Sequence, residues 1–208
     1  MVIVKEVSKD KLLWLPDICR IFPFNWFPNE KRGFVYWVDV LSYITSKSNI
    51  KCNIRYVALD DDHLVGWALF FDPSKKPSSN ALQTILHYIC IFVLLFTKHG
   101  RFMMQERQKL RKYFKEVTFR GIQLLGCSTF CEGAFIVIDE AYRQQRIYTQ
   151  IMKEALSKMS GTFIFLTNSE CTFEAHKKAG FKTILEISSP QDIEYIVGKT
   201  TMIMYKEL

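Results

Sequence analysis

The chain predicts a mixed α/β fold, a central mixed sheet flanked by helices, and three observations carry that expectation. Ala134 to Ile138 (AFIVI) is an apolar, β-branched and aromatic run suited to a strand buried on both faces. It leads into a segment where Ile147, Ile151, Met152 and Ala155 recur at the spacing of a helix's buried stripe. A second buried run, Thr162 to Thr167 (TFIFLT), follows, and the hairpin pattern of residues 54–71 lies upstream. All 208 residues are read as one domain. Residues 74–121 form a helical insertion within it, between the third and fourth strands.

In chain order, residues 2–7 (VIVKEV) read as the first strand and Asp10 to Cys19 as a short helix. Phe22 to Phe27 holds four aromatics, interrupted by Pro23 and closed by Pro28; it suits either the core or an apolar pocket. Phe34, Trp37, Val38, Leu41 and Ile44 keep helical spacing, which places a helix over residues 30–46. Ile54 to Leu59 and Leu64 to Phe71 are strands joined by the acidic turn Asp60-Asp61-Asp62-His63. Carboxylates from one tight turn rarely converge on a metal without further donors, so no metal is expected there. Gly66 inside its strand implies a bulge or a close backbone approach.

The segment 74–121 is distinctive. Ala81 to Phe96 is apolar but shorter than the roughly 20 residues that cross a bilayer. It reads as a helix covered nearly all round, by core, by a second subunit or by a membrane surface. Phe102 to Phe119 reads as a second helix. Between Lys98 and Arg120 stand eight Lys or Arg against Glu106 and Glu116, within a chain of net charge +7. Such a cluster suits an anionic partner or a solvated helix face. No nucleic-acid module surrounds it, and no nucleic-acid partner is expected. A second copy or a membrane surface could meet residues 81–120.

After Thr167, Phe173 to Gly180 reads as a short helix with Gly180 as its left-handed cap, and Lys182 to Ile187 and Thr200 to Tyr205 as the last strands. Six cysteines show no CxxC pair and no zinc set, so free thiols in a reducing compartment are expected. Only four residues precede the first charge, so the N-terminus does not read as a signal peptide and a cytoplasmic location is expected.

A strand feeding a helix aims the helix's free amides past the strand's end, where an anion can sit. The same pattern also suits a strand–helix unit with no ligand. Tyr142-Arg143-Gln144-Gln145-Arg146-Ile147-Tyr148 resembles the coenzyme A pyrophosphate loop, Gln/Arg-x-x-Gly-x-Gly/Ala, of the GNAT superfamily of acyl-CoA-dependent N-acyltransferases. Arg143 matches its first position, while Arg146 and Tyr148 stand at its two small positions. VALDDDHLVGWALFF is similar to that family's second and third strands, and EAHKKAGF to its last helix, with His176 where Tyr is usual.

The resemblance implies a mostly antiparallel sheet and acetyl transfer from acetyl-CoA, or another acyl-CoA, to a primary amine on a small molecule or protein. Backbone groups of Ile136, Val137 and Ile138 would hold the cofactor's amide arm. Arg143, Gln144, Gln145, Arg146, Ile147, Tyr148 and Thr149 would take its pyrophosphate, and Asn168 would border the arm. Glu132, eleven residues before Arg143, stands at the offset of the catalytic Glu of the histone-acetyltransferase branch. Strand alternation puts it on one face with Ala134, Ile136 and Ile138. His176 would protonate the departing thiolate as an imidazolium. A solvated His176 and an exposed, structural Glu132 are the alternatives. A fold that has lost acyl-CoA binding and serves as an interaction module is the other reading, motivated by Arg146 and Tyr148.

Overall fold

The computed structural model of the protein describes residues 2–7, 15–21, 33–46, 52–76 and 81–208. Its frame is one seven-stranded sheet in the order β1-β2-β3-β4-β5-β7-β6. The strands are β1 (Val2–Glu6), β2 (Ile54–Asp60), β3 (His63–Phe71), β4 (Cys131–Ile138), β5 (Thr162–Thr167), β6 (Lys182–Ser188) and β7 (Thr200–Glu207). All neighbours run antiparallel except β4 and β5, which are parallel. A parallel pair needs a crossover, and the helix following β4 provides it.

The helices are α1 (Leu15–Ile21), α2 (Phe34–Ile44), α3 (Ala81–Leu95), α4 (Lys98–Leu125), α5 (Ile147–Leu156), α6 (Glu170–Lys178) and α7 (Glu194–Val197). On one face of the sheet, Ile147, Ile151 and Ala155 of α5 pack on Tyr56, Ala68 and Phe70, beside Phe163, Phe165 and Phe181. On the other, α1 and α2 set Ile18, Tyr36 and Val40 against Val57, Trp67 and Leu69. There α4 lays Val117 over Ile164 and Ile203. Gly121 lets α4 come in close, since a β-carbon there would stand 2.7 Å from the Ile203 side chain.

Most elements lie within a few residues of their predicted bounds. The second helix of the 74–121 segment is longer than expected, 98–125 rather than 102–119. Thr97 starts it by accepting the Gly100 amide at 2.9 Å, and Gly126, left-handed at φ +65°, ends it. Among the described residues the core covers α3 on one side only, which leaves the cover expected from a second subunit or a membrane surface to the rest of its circumference. This helix lies off the sheet and buries Cys90 and Leu94 near Val38 of α2, while Leu82, Ile85, Ile89 and Phe92 are more than half exposed. The aromatic stretch 22–27 and the start of the first predicted helix fall outside the described residues.

Candidate active site

The site begins with a bulge. Leu69 of β3 faces Phe135 of β4 while its neighbour Phe70 faces Gly133, so Ala134 is an extra residue in β4. Gly133 is needed there because a β-carbon would meet the Phe165 ring at 2.4 Å. Beside the bulge, β4 and β5 pair only from Cys131–Phe163 to Gly133–Phe165. Beyond that point the strands part. Ile136, Val137 and Ile138 stay bonded to β3 on one side, and their other edge, unpaired with β5, is open to a ligand's amides.

The bulge also corrects one expectation. An extra residue reverses the alternation, so Glu132 does not share a face with Ile136 and Ile138. It lies opposite Phe71 and beside Ile164, on the face of Phe135 and Val137 that α1, α2 and α4 cover. Glu132 is half-buried and sits one residue before the strands part. Nearby on this face are aromatic rings: Phe135 meets Trp67 at 5.4 Å and Tyr43 of α2 at 5.8 Å.

After β4 the chain is fastened to the β2–β3 hairpin. The Asp139 amide donates to the Val65 carbonyl at 2.8 Å, and its carboxylate accepts the Ala141 amide at 3.1 Å and pairs with Arg20 of α1. Arg20 also donates to the Leu64 carbonyl at 3.0 Å. Tyr142, in a single 3-10 turn, donates its hydroxyl to Asp60 at 2.8 Å, which holds the Asp60 carboxyl below its ordinary range. Gly66 keeps this end tight, since a β-carbon there would lie 3.1 Å from Ala58 and 3.5 Å from Ile147. Sequence reasoning missed Asp139 and Tyr142 as positioning residues; Asp two residues before Ala141 is the Asx-turn signal that could have found the first.

From this anchored turn the chain enters α5 through two left-handed residues, Gln144 at φ +73° and Arg146 at φ +60°. Side chains in that region cost of order 1–3 kcal/mol each. Arg146 therefore holds the backbone that a glycine would take at the small loop position. It caps α5 through its carbonyl, which accepts the Gln150 amide at 3.0 Å, without any side-chain cap. Among the described residues nothing accepts from the amides of Gln144, Arg146, Ile147, Tyr148 or Thr149. The side chains of Arg143, Gln144, Gln145 and Arg146 are exposed, as is Thr149; Arg143 pairs with Glu140 at 3.4 Å and Ile147 is buried. Free amides, a helix's positive end and two arginines converge on one exposed corner.

Tyr148 turns inward from that corner. Its hydroxyl lies 2.5 Å from Nε2 of His176 in α6, tying together the helices that follow the two parting strands. His176 is 1% exposed, stacked on Phe165 at 4.4 Å, with the Phe181 ring edge-on. Its Nδ1 donates to the Thr172 carbonyl at 2.7 Å, so Nε2 accepts from Tyr148. Burial pushes the imidazole below its ordinary value and the phenol above its own, leaving both neutral. His176 is thus neither solvated nor an imidazolium, and the expected acid role does not fit. Asn168 is exposed just after β5, its carbonyl near Gly198. No group of three or more His, Cys, Asp or Glu able to hold a metal occurs among the described residues.

No family model and no curated protein matches the sequence. Solved structures do match. One is an insect putative arylalkylamine N-acetyltransferase 7 from the yellow fever mosquito, at TM-score 0.63 and 13% identity, covering 99% of this chain and 87% of that one. Another is described as a histone acetyltransferase HPA2 and related acetyltransferase from Corynebacterium glutamicum, at TM-score 0.56 and 12% identity, covering 98% and 96%. The polyamine N-acetyltransferase of Drosophila melanogaster matches at TM-score 0.54 and 9% identity over the whole of both chains. Identities this low speak to architecture, and in architecture the chain has the fold of the GNAT superfamily, with the parting of β4 from β5 and the α5 entry at the centre of it.

Proposed function

We propose that the protein is an N-acyltransferase that moves acetyl from acetyl-CoA to a primary amine. The observation that carries this reading is the junction just described: a bulged strand that leaves its parallel neighbour and runs into a helix whose first amides have no partner among the described residues. That junction has the donors an acyl-CoA requires, an open strand edge for its amide arm and a helix N-terminus for its diphosphate. Backbone groups of Ile136, Val137 and Ile138 hold the arm, residues 143–149 hold the diphosphate and Asn168 borders the path. When bound, acetyl-CoA supplies the thioester acyl group. Arg146 adds charge-assisted hydrogen bonds where a glycine would offer only its amide.

Glu132 removes the proton from the amine, directly or through one water. Its place on the face of Phe135 and Tyr43 supports an acceptor arriving from the α2 side, across the sheet from α5. A carboxylate acting as general base contributes typically 10²–10⁴-fold. Glu132→Gln is therefore expected to lower acetyl-CoA-dependent thiol release by about that factor while coenzyme A binding persists. Equal rates for the two proteins would remove Glu132 from the reaction.

One observation favours a second reading, an interaction module without acyl-CoA. The Tyr148–His176 hydrogen bond ties α5 to α6 beside the point where the strands part. Tyr148→Ala separates the two: tighter coenzyme A binding by the variant identifies a restrained acyl-CoA site, and no binding by either protein favours the module.

A further inference from the structure

The helix pair between β3 and β4 has an outer surface that the acyl-transfer reading leaves unused. Leu82, Ile85, Ile89 and Phe92 run along one side of α3 at alternating steps of three and four, and Phe96 continues the line. Their exposures run from 53% to 71%. Tyr88 and Leu95, also about half exposed, widen the face beyond the narrow seam that one partner helix fills. At 1.5 Å per residue the helix's 15 residues make this apolar face about 22 Å long. No Asp, Glu, Lys or Arg occurs in α3.

Charge decides what covers it. From Pro73 to Gln105 there is no acidic residue, while Lys75 and Lys76 precede the helix and Lys98 and Arg101 follow it. Lys76, Lys98 and Arg101 are exposed. Both ends of the apolar face are therefore positive. A two-fold dimer through this face would set cations against cations whether the two copies of α3 ran parallel or antiparallel. An anionic lipid surface meets both features at once, with acyl chains under the helix and headgroup charges at its ends.

No single helix is long and apolar enough to cross a membrane; α3 and α4 meet at a bend of 118°. We propose that α3 lies flat on an anionic lipid surface, its Leu82–Phe96 side embedded and Lys76, Lys98 and Arg101 at headgroup level. The orientation would keep the enzyme fold at a membrane rather than through it, and it does not depend on whether acyl-CoA binds.

The test is flotation of the full chain with vesicles of phosphatidylcholine, with and without phosphatidylserine. The wild type is expected to float with the mixed vesicles and to remain below with phosphatidylcholine alone. Ile89→Ser with Phe92→Ser is expected to abolish flotation. Because that pair could disturb folding, K76E/K98E is the second variant; neither lysine touches the core, and reversing both charges is expected to weaken partitioning about tenfold or more with an unchanged circular dichroism spectrum. Wild type staying below with the anionic vesicles would overturn the proposal. So would a dimer, seen by sedimentation, that I89S/F92S converts to a monomer.

Discussion

The β4–α5 junction and the α3–α4 pair are built in opposite ways. At the junction Ile147, Ile151 and Ala155 are buried against the sheet, and outside stand backbone amides with no partner among the described residues. In the helix pair a buried ion pair fastens α4 to α2 while one apolar side of α3 faces out. Arg107 of α4 pairs with Asp39 of α2 at 3.1 Å and donates to Ser42 at 3.0 Å beneath α3, while Ile85 and Phe92 look to solvent. Burial is the rule for apolar groups, so a surface that breaks the rule over a whole helix points to a partner. Unpartnered amides at a helix start point to an anion by the same logic.

Substitutions can break this comparison at several sizes. The largest effect is expected inside the helix pair. Arg107→Leu takes the guanidinium from the buried Asp39 carboxylate, whose pKa burial already raises despite that partner. The loss should be about 3–5 kcal/mol in urea unfolding. Asp39→Leu combined with Arg107→Leu should recover most of it, because the pair's desolvation cost disappears with the pair.

Next comes the same chemistry in the two regions. Ile151→Ala in α5 should cost about 2–5 kcal/mol. Ile89→Ala on the open face of α3 should change stability by less than about 0.5 kcal/mol. Equal costs would mean that α3 is covered in solution, and the comparison would fail. Gly133→Ala is smaller, about 1–3 kcal/mol, through its collision with the Phe165 ring.

The smallest expected effect is a dependence on pH. Burial holds His176 below its ordinary value of 6.5 in the folded protein. Above that value the imidazole is neutral in both states and adds no pH dependence. As pH falls through 6.5 the unfolded chain takes the proton first, so stability declines until the folded pKa is passed. His176→Phe should flatten that part of the curve of midpoint temperature against pH. A slope unchanged by the substitution would assign the decline to another group.

Much of this architecture can be read from the residues, and the exceptions share a cause. The strand–helix unit at 132–156 and the strand at 162–167 show in local patterns, because a period of two or of 3.6 is a property of neighbours along the chain. The face of Glu132 does not. It depends on the extra residue Ala134, and a bulge is set by register against β3 rather than by the β4 sequence. The left-handed backbone at Gln144 and Arg146 was equally hidden, since neither residue type announces it. His176 looked solvated beside Lys177 and Lys178, yet it is enclosed by Phe165, Phe181 and Tyr148, all distant in sequence. The ends of α4 are the opposite case: Thr97 before the helix and Gly126 after it are local cap residues that stand in the sequence itself.

The grip of the α5 entry on a diphosphate is the claim on which the enzyme reading stands. Adding coenzyme A to isotope-labelled protein and following the backbone amide resonances examines it residue by residue. The largest shifts are expected at Gln144, Arg146, Ile147, Tyr148 and Thr149, with smaller ones at 136–138. Saturating shifts elsewhere, or none at these amides in both the wild type and Tyr148→Ala, would contradict it.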